Sequence, residues 1–364
     1  MECIFNDILE IRNGKNQKAV ENPDGRYPIY GSGGLMGYAD DYICEADTVI
    51  IGRKGSINNP IYVSEPFWNV DTAFGLSAKR EVLLPRYLFY FCKKFDFEKL
   101  NKTVTIPSLT KSDLLKIKIQ LPDITVQQDI IDKLSKIEKV IDFRKQELAA
   151  LDNLIKARFV ELFGNGNHEI VKASEVCDFI TKGTTPPTGE ITEEYEEGKI
   201  PFLKVYNLSF TGEMLFDDNP QYIPKETHNG KLVRSKVYPN DVLMNIVGPP
   251  LGKFTLVTDE FDEWNINQAI AIFRAKERIL PRFLLHALMQ PKVLEPFIGQ
   301  AVGIRQQNLN LEQCRNLQFP LPSLEEQKAF VEFAEQLDKS KVVVKKALDE
   351  VQLLFDSLMQ EYFS

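Results

Sequence analysis

Residues 120–127 read QLPDITVQ and residues 320–327 read PLPSLEEQ, and each string opens a long run of regularly spaced apolar residues. The first residues of the two strings are 200 positions apart (320 − 120 = 200) in a chain of 364 residues. Proline is tolerated in the first turn of a helix, and acidic residues such as Glu325 and Glu326 suit its positive end. The strings therefore predict two long helices that begin at equivalent points of a duplicated sequence.

The repeat extends outward from these helices. Residues 68–73 (WNVDTA) match residues 264–269 (WNINQA), and residues 84–88 (LPRYL) match residues 280–284 (LPRFL), both at an offset of 196. A period this long is not a solenoid repeat. It indicates a duplicated domain with its following helix, hence pseudo-twofold symmetry. The offset predicts that Trp68 and Trp264 occupy equivalent positions, and we expect both rings in the core.

Both predicted helices carry an apolar seam with 4,3 spacing. This period is typical of a coiled coil, and the first seam spans about 48 Å of helix. We expect the two helices to pair antiparallel, since a whole domain separates them in the chain. The alternative is that each helix packs only on its own domain. Polar residues Arg144, Arg158 and Lys341 interrupt the seams, where they either help fix the register or lie at the seam edge. The seam residues are Ile130, Leu134, Ile137, Ile141, Leu148, Leu151, Ile155 and Leu162 in the first helix, and Phe330, Ala334, Leu337, Val344, Leu348, Val351, Phe355, Leu358 and Tyr362 in the second.

Each half is a mixed segment of short β-rich runs broken by Gly and Pro, followed by a short helix after Pro85 or Pro281. The sequence therefore predicts an α+β protein with two mixed α/β domains, related by pseudo-twofold symmetry and joined by two long antiparallel helices that form a coiled coil. The expected bounds are 1–121 for the first domain, 122–163 for the first helix, 164–321 for the second domain and 322–364 for the second helix.

Composition narrows the class only slightly. No apolar run is long enough for a membrane span, and the N-terminus lacks the basic and apolar regions of a signal peptide. Five cysteines stand singly without a Cys-x-x-Cys pair, which argues against zinc and disulfides and fits a cytoplasmic protein with buried thiols. The net charge of −8 neither indicates nor excludes DNA, because local basic faces can still bind phosphate.

These residues resemble a known family. The PLPSLEEQ string at the end of a duplicated unit looks like the signature of type I restriction–modification specificity subunits, and QLPDITVQ is a degenerate copy. Residues 11–15 (IRNGK) and 180–184 (ITKGT) also resemble the openings of their target-recognition domains. The first string lacks the Glu-Glu of the second, and the first domain begins only a few residues after Met1, so details of docking there can differ.

The resemblance implies a non-catalytic subunit. Each domain would read one half of a split, asymmetric site in double-stranded DNA, and the helices would fix the spacing between the halves. The helices would also dock two methyltransferase subunits, to which restriction/translocase subunits attach. S-adenosylmethionine and ATP would belong to those partners, with no cofactor or metal on this chain.

Base-reading groups are expected on loops, because side chains must reach the distinguishable edges of base pairs in the major groove. Arginine suits guanine, Asn and Gln suit adenine, and Lys or Ser suits phosphate. Residues 204–207 and 248–253 of the second half are taken to correspond to the loops at 30–34 and 53–56. The DNA-binding candidates are Lys15, Tyr30, Ser32, Arg53, Lys54, Ser56, Thr103 and Thr105 in the first half, and Lys182, Lys204, Tyr206, Asn207, Lys253, Arg305, Gln306, Gln307 and Asn308 in the second.

Other functions find less support. A DNA methyltransferase needs an Asn/Asp-Pro-Pro-Tyr/Phe loop, and residues 58–62 (NNPIY) lack the second proline. A nucleotide-binding loop needs Gly-x-x-x-x-Gly-Lys-Ser/Thr; residues 248–253 are one residue short and Phe254 follows them. Two alternatives stay open: a specificity subunit of another restriction–modification type with a fused cleavage–methylation partner, and a coiled-coil scaffold with no DNA role.

Overall fold

The computed structural model describes residues 1–101, 107–187, 189–248, 250–298 and 307–364. Contacts group the chain into two compact units. Unit 1 comprises Met1–Lys145 and Lys345–Ser364, and unit 2 comprises Gln146–Val344. Each unit therefore holds one globular domain and a part of both long helices, whereas the sequence predicted four consecutive segments.

Unit 1 is built from three small sheets and the short helix that follows Pro85. Strand order is β2-β8-β5-β6 in the first sheet, β4-β3-β7 in the second and β1-β9 in the third. Its elements are β1 (Glu2–Ile4), α1 (Phe5–Ile8), β2 (Leu9–Asn13), β3 (Tyr27–Gly31), β4 (Gly34–Ala39), β5 (Thr48–Gly52), β6 (Ile61–Val63), β7 (Trp68–Asn69), β8 (Ala73–Ala78), α2 (Pro85–Lys94), a 3-10 turn (Phe97–Leu100), α3 (Lys111–Leu114), β9 (Lys118–Gln120) and α4 (Ile124–Phe163), of which residues 124–145 belong here.

The sequence of the central strand explains why the core of unit 1 forms around it. Strand β5 reads TVIIG, and every one of its residues is buried, because Val49 and Ile51 lie in one apolar cluster and Ile50 lies in another on the opposite face. β-branched side chains favour such a position. Helix α2 starts with Pro85 in its first turn, ends with Lys93 and Lys94, and buries Tyr87, Leu88 and Tyr90 in the same core.

Unit 2 repeats this plan with longer connections. Strand order is β11-β19-β15-β17, β13-β12-β18-β14, β10-β21 and β16-β20. Its elements are β10 (Glu169–Lys172), α5 (Ala173–Val176), β11 (Cys177–Lys182), β12 (Ile200–Leu203), a 3-10 turn (Val205–Asn207), β13 (Tyr222–Ile223), α6 (Lys225–Asn229), a 3-10 turn (Val233–Ser235), β14 (Lys236–Val237), β15 (Val242–Asn245), β16 (Val247–Gly248), β17 (Phe254–Leu256), β18 (Trp264–Ile266), β19 (Ile270–Ala275), α7 (Pro281–Leu288), α8 (Pro291–Ile298), β20 (Gln307–Asn308), α9 (Leu311–Arg315), β21 (Gln318–Leu321) and α10 (Leu324–Phe363), of which residues 324–344 belong here.

The two long helices have 40 residues each and begin two residues after Pro122 and Pro322. At the start of α10, Ser323 and Glu326 form a capping box: the Glu326 N–H donates to Ser323 Oγ (3.3 Å), and the Ser323 N–H donates to Glu326 Oε2 (2.9 Å). The Ser323 hydroxyl also donates to Glu326 Oε2 (2.7 Å), and this bond, followed by the bond from the Ser323 N–H, holds the pKa of the Glu326 carboxyl below its ordinary value. Among the hydrogen bonds of the described residues, none of this kind caps α4, whose first turn has no acidic residue.

Within each unit the two helices run antiparallel. In unit 1 the Lys133 ammonium lies 6.0 Å from the centre of the Tyr362 ring. In unit 2 Lys341 Nζ bonds Asp152 Oδ1 (2.8 Å), and the rings of Phe159 and Phe330 lie 5.4 Å apart. Sequence numbers rise along α4 as they fall along α10, so the predicted α+β class and antiparallel helices are confirmed. Across the described residues, we find no helix with both the length and the hydropathy of a membrane span.

Candidate nucleic-acid interface

Each unit has one edge at which loops from several strands converge, and a glycine organises it. Gly14 donates its N–H to Ala73 O (3.2 Å), and a Cβ at this position would lie 1.8 Å from the Val70 carbonyl oxygen. Gly183 donates to Ile270 O (3.0 Å), and its Cβ would lie 2.0 Å from the Asn267 carbonyl oxygen. Only glycine allows the chain to cross so close, which explains the similar openings at 11–15 and 180–184.

In unit 1 this edge gathers the predicted candidates around residues 69–72. Lys15 N–H donates to Asn69 O (2.8 Å), and Arg53 N–H donates to Thr72 O (2.7 Å). Val70 N–H donates to Tyr30 O (3.0 Å), which brings the β3–β4 turn to the same place. We call residues 14–18, 31–34, 53–56 and 69–72 the loop edge of unit 1.

The side chains on this edge differ in how freely they face solvent. Lys15, Arg53, Lys54 and Ser56 are exposed, and the Arg53 guanidinium lies 5.8 Å from the centre of the Phe74 ring. Ser32 is half-buried in the β3–β4 turn. Lys18 is exposed as well, so the loop edge of unit 1 presents four cations.

Tyr30 differs from its neighbours because its ring is half-buried. The ring packs edge-on against Phe67, with centroids 5.7 Å apart. Burial, followed by the charge of Glu65, raises the pKa of the Tyr30 hydroxyl above its ordinary value, so the hydroxyl remains protonated at neutral pH. Tyr30 can therefore donate a hydrogen bond, but much of its ring serves packing.

Unit 2 forms the corresponding edge around residues 266–270. Thr184 N–H donates to Ile266 O (3.3 Å), Asn267 N–H to Leu203 O (3.1 Å) and Ile246 N–H to Ala269 O (2.8 Å). We call residues 182–186, 204–210, 246–253 (without 249), 267–269 and 307–308 the loop edge of unit 2. Lys182, Tyr206 and Asn308 are exposed on it, and Lys204 and Lys253 are half-buried.

The prediction for Asn207 is wrong. Asn207 is 0% exposed, its Oδ1 accepts from the Lys204 N–H (2.8 Å), and its Nδ2 donates to Leu215 O (2.9 Å). Both ends of the amide are therefore bonded to backbone, one at the start of the 3-10 turn that follows β12 and the other at Leu215. A side chain with no accessible surface and satisfied bonds serves the fold rather than a base edge.

Several candidates lie outside the described residues. These are Thr103, Thr105, Arg305 and Gln306; for Gln307 the structure describes only the backbone, which pairs with Gly248.

Sequence reasoning missed exposed apolar side chains on both edges. In unit 1, Leu35 and Met36 are exposed on β4, directly after the β3–β4 turn. In unit 2, Phe210 is about half exposed, with the Lys253 ammonium 5.7 Å from its ring centre. A search for polar base-reading groups passes over such residues, and only their exposure at a loop edge identifies them.

The backbone corrects the offset of the repeat. Ile29 of β3 pairs with Trp68, whereas Phe202, at the equivalent position of β12, pairs with Asn265. The structural offset here is 197 (265 − 68 = 197), so the prediction that Trp68 and Trp264 are equivalent is wrong. Both rings lie in the core as expected, at 7% and 0% exposure. Backbone pairing sets the register, and a shift of one residue places identical residues of the two halves on opposite faces of the sheet.

Backbone hydrogen bonds also correct the predicted loop correspondence. Leu109 N–H donates to Arg53 O (3.0 Å), and Leu309 N–H donates to Ile246 O (2.9 Å). Arg53 therefore corresponds to Ile246, although the sequence placed its counterpart at 248–253. The strongest base-reading candidate of unit 1 has an apolar residue at its position in unit 2.

The helix seams lie where the helices pack within each unit. Every predicted seam residue is buried or half-buried, whereas Phe143, Val342 and Val343 face solvent. Lys341 bonds both Asp152 Oδ1 (2.8 Å) and Asp338 Oδ1 (2.6 Å). Burial opposes its charge, but these bonds prevail and raise the pKa of Lys341. Arg158 pairs with Glu161 on its own helix and lies 5.9 Å from the Phe333 ring centre, and Arg144 is half-buried.

Unit 2 also contains two buried histidines. His228 Nε2 lies 3.2 Å from Glu263 Oε2, and its Nδ1 lies 3.0 Å from Asn265 Nδ2. Burial lowers the pKa of His228, and burial lowers that of His286 to about 4, so both are neutral at neutral pH. Among the residues that the structure describes, no three His, Cys, Asp or Glu side chains are grouped to hold a metal ion.

The fold and its loop edges define a class: a duplicated two-domain protein in which each domain shares a core with paired helices. The family model described as the type I restriction modification DNA specificity domain matches residues 4–153 and 165–353. The chain therefore belongs to the family of type I restriction–modification specificity subunits.

Relatives and solved structures agree with this assignment. The MjaVIII specificity subunit of Methanocaldococcus jannaschii is 24% identical over 95% of this chain and 88% of its own length. The EcoBI specificity subunit of Escherichia coli is 24% identical over 93% of this chain and 77% of its own length. The crystal structure of a type I S subunit from M. genitalium has a TM-score of 0.58 at 17% identity, covering 100% of this chain and 96% of that one, which shows the fold.

Proposed function

We propose that this specificity subunit binds a bipartite, asymmetric site in double-stranded DNA, with one half-site read at the loop edge of each unit. The carrying observation is that one backbone arrangement presents different side chains in the two units. Arg53 and Lys54 occupy the positions of Ile246 and Val247. A duplicated scaffold with diverged loops suits two different half-sites.

Different residues would make the phosphate contacts and the base contacts. Lys15 and Lys182 flank the two edge glycines and suit phosphate, since a lysine ammonium is a point charge. Arg53 suits guanine, because its guanidinium can bond O6 and N7 together. The exposed apolar residues Leu35 and Met36 suit contact with a thymine methyl group.

We also propose that the chain has no catalysis of its own and acts in the cytoplasm. Two methyltransferase subunits would dock on the helices and restriction/translocase subunits would attach to them. S-adenosylmethionine and ATP would be bound by those partners.

A methylome of the host with and without this gene tests the function. We expect deletion to remove one split, asymmetric motif containing modified adenine. Replacing residues 1–121 by the equivalent domain of a relative should then change one half of that motif only. Unchanged methylation on deletion would count against the proposal, and a change in both halves would exclude the assignment of one unit to one half.

A separate experiment tests whether the helices set the length of DNA between the two half-sites, the spacer. Each helical residue adds about 1.5 Å, so inserting a few residues in both long helices should lengthen the spacer while both half-sites persist. An unaltered spacer after such an insertion would exclude the helices as its determinant.

A further inference from the structure

A buried glutamine ties the first turn of each long helix to its globular domain. Gln127 is 0% exposed, and its Oε1 accepts from the Leu84 N–H (2.9 Å). Its Nε2 donates to the carbonyl oxygens of Val82 (2.9 Å) and Pro122 (2.9 Å). Val82 and Leu84 lie in the loop that enters α2, so one amide joins this loop, the segment before α4 and α4 itself.

Unit 2 contains the same joint. Gln327 is also 0% exposed, and its Oε1 accepts from the Leu280 N–H (2.8 Å). Its Nε2 donates to the carbonyl oxygens of Arg278 (3.0 Å) and Pro322 (3.0 Å). The two joints therefore have the same three bonds.

The chemistry of the joint requires glutamine. Both Nε2 hydrogens and the Oε1 acceptor are used, so the shorter Asn would not reach and Glu would lack the donor. A second attachment already connects domain and helix: β9 pairs with β1 before α4, and β21 pairs with β10 before α10. The helix also packs on the core of its unit, but apolar contacts are non-directional and leave some freedom in its angle. The glutamine bonds to the entrance of α2 or α7 are directed and remove that freedom.

We propose that Gln127 and Gln327 are positioning residues that fix the angle between each loop edge and its long helix, so that the DNA spacer is read strictly. This inference rests on the proposed function, since it concerns how two half-sites are held at a set separation. Because the joints lie away from the loop edges, their loss should relax spacing without changing the bases read.

The test uses the full chain assembled with its methyltransferase subunits. The substrate is a DNA library that holds both half-sites constant, taken from the wild-type methylome, with spacers of the native length and one base pair shorter or longer. The test variant is Gln127→Met, which keeps the length of the side chain and removes its hydrogen bonds. The matched control is Gln128→Met, because Gln128 is exposed and bonds only Asp132 Oδ1 (2.8 Å) among the bonds described. A second control, Leu114→Ala, destabilises the same core away from the joint.

We expect Gln127→Met to raise methylation at the altered spacers, relative to the native one, by about tenfold, the factor that corresponds to about 1.4 kcal/mol. Both half-site sequences should stay unchanged, and Gln128→Met should behave as wild type. Strict spacing in Gln127→Met would overturn the inference, as would equal relaxation in Leu114→Ala, because the effect would then follow stability alone. If the wild-type complex methylates no bipartite motif, the proposed function itself fails. If the wild type does methylate such a motif, the spacer comparison tests the glutamine joint alone.

Discussion

The junction between the two long helices carries an ion pair in unit 2 and an apolar residue at the same place in unit 1. In unit 2, Lys341 lies between Asp152 and Asp338. The equivalent positions in unit 1, 200 residues away, are Ile141 and Gln352, and Ile141 is buried in the core of that unit. A buried lysine needs an anionic partner, whereas an isoleucine needs none. The two units therefore differ here by a pair of residues, Lys341 with Asp152 against Ile141 with Gln352, and not by a single residue.

The next helix differs in the same way. Tyr90 of α2 donates to Glu138 Oε2 (2.6 Å), and Lys93 pairs with the same carboxylate (2.9 Å). In unit 2 the corresponding carboxylate, Asp338, pairs with Arg282 (2.5 Å), and the residue equivalent to Tyr90 is His286. His286 is neutral and packs on Phe330, with ring centroids 5.4 Å apart. The same backbone arrangement therefore accommodates different side chains in the two units, provided that each buried charge keeps a partner.

The largest expected effect comes from removing the aromatic centre of the unit 2 junction. Phe330 packs against Phe159 (5.4 Å), Phe163 (5.8 Å) and Phe283 (6.0 Å). Phe330→Ala should lower the free energy of unfolding by about 3–5 kcal/mol, because a cavity replaces a buried ring. Urea unfolding measures the change, and hydrogen exchange should place the lost protection in unit 2. The control is Phe143→Ala, at a residue that is 65% exposed, where we expect almost no change.

A smaller effect is expected when the charged pair of unit 2 is replaced by the pair found in unit 1. Lys341→Ile should destabilise unit 2 by about 2 kcal/mol, because Asp152 loses its cation while half-buried. Adding Asp152→Gln gives unit 2 the pair found in unit 1 and should restore most of the loss. Denaturant midpoints of both variants and of Asp152→Gln form a double-mutant cycle. Additive losses in that cycle would contradict the paired divergence of the seams.

The last effect is small at neutral pH and grows as the pH falls. The pKa of His286 is lowered to about 4 in the folded protein, and the ordinary value in the unfolded chain is about 6.5. Between these values the unfolded chain binds the proton and the folded one does not. The contribution of His286 is therefore complete above about pH 6.5 and falls by about 1.4 kcal/mol per pH unit as the pH drops towards 4.

Comparing the wild type with His286→Phe isolates this contribution from the carboxylates and from His228. Urea unfolding at several pH values between 4 and 7 should give a shallower loss of stability in His286→Phe. Tyr90→Phe is the matched variant in unit 1, and its stability difference from wild type should not follow a histidine titration. Parallel pH curves for wild type and His286→Phe would mean that His286 does not titrate in this way.

The edges of the two large sheets show what a sequence comparison leaves undecided. In unit 2, Ser209 pairs with Phe254 of β17, and the two residues exchange backbone hydrogen bonds of 3.1 and 2.8 Å. In unit 1 the residue at the position of Phe254 is Pro60, which has no N–H to donate. Proline blunts an edge strand against pairing. The segment that follows β12 in unit 2 reaches the edge strand β17, whereas the segment that follows β3 in unit 1 folds back as β4.

The sequence by itself determined the duplication, the α+β class, the two long helices and the family. These follow from local signals: a 3.5-residue apolar period, proline and acidic residues at helix starts, and strings that recur. Tertiary structure decided the 197-residue offset, the burial of Asn207, the partner of Lys341 and the joints made by Gln127 and Gln327. The offset, the Lys341 pair and the joints depend on hydrogen bonds or ion pairs between residues far apart in the chain, and the burial of Asn207 depends on how its turn packs into the domain. No local period records which groups meet in this way.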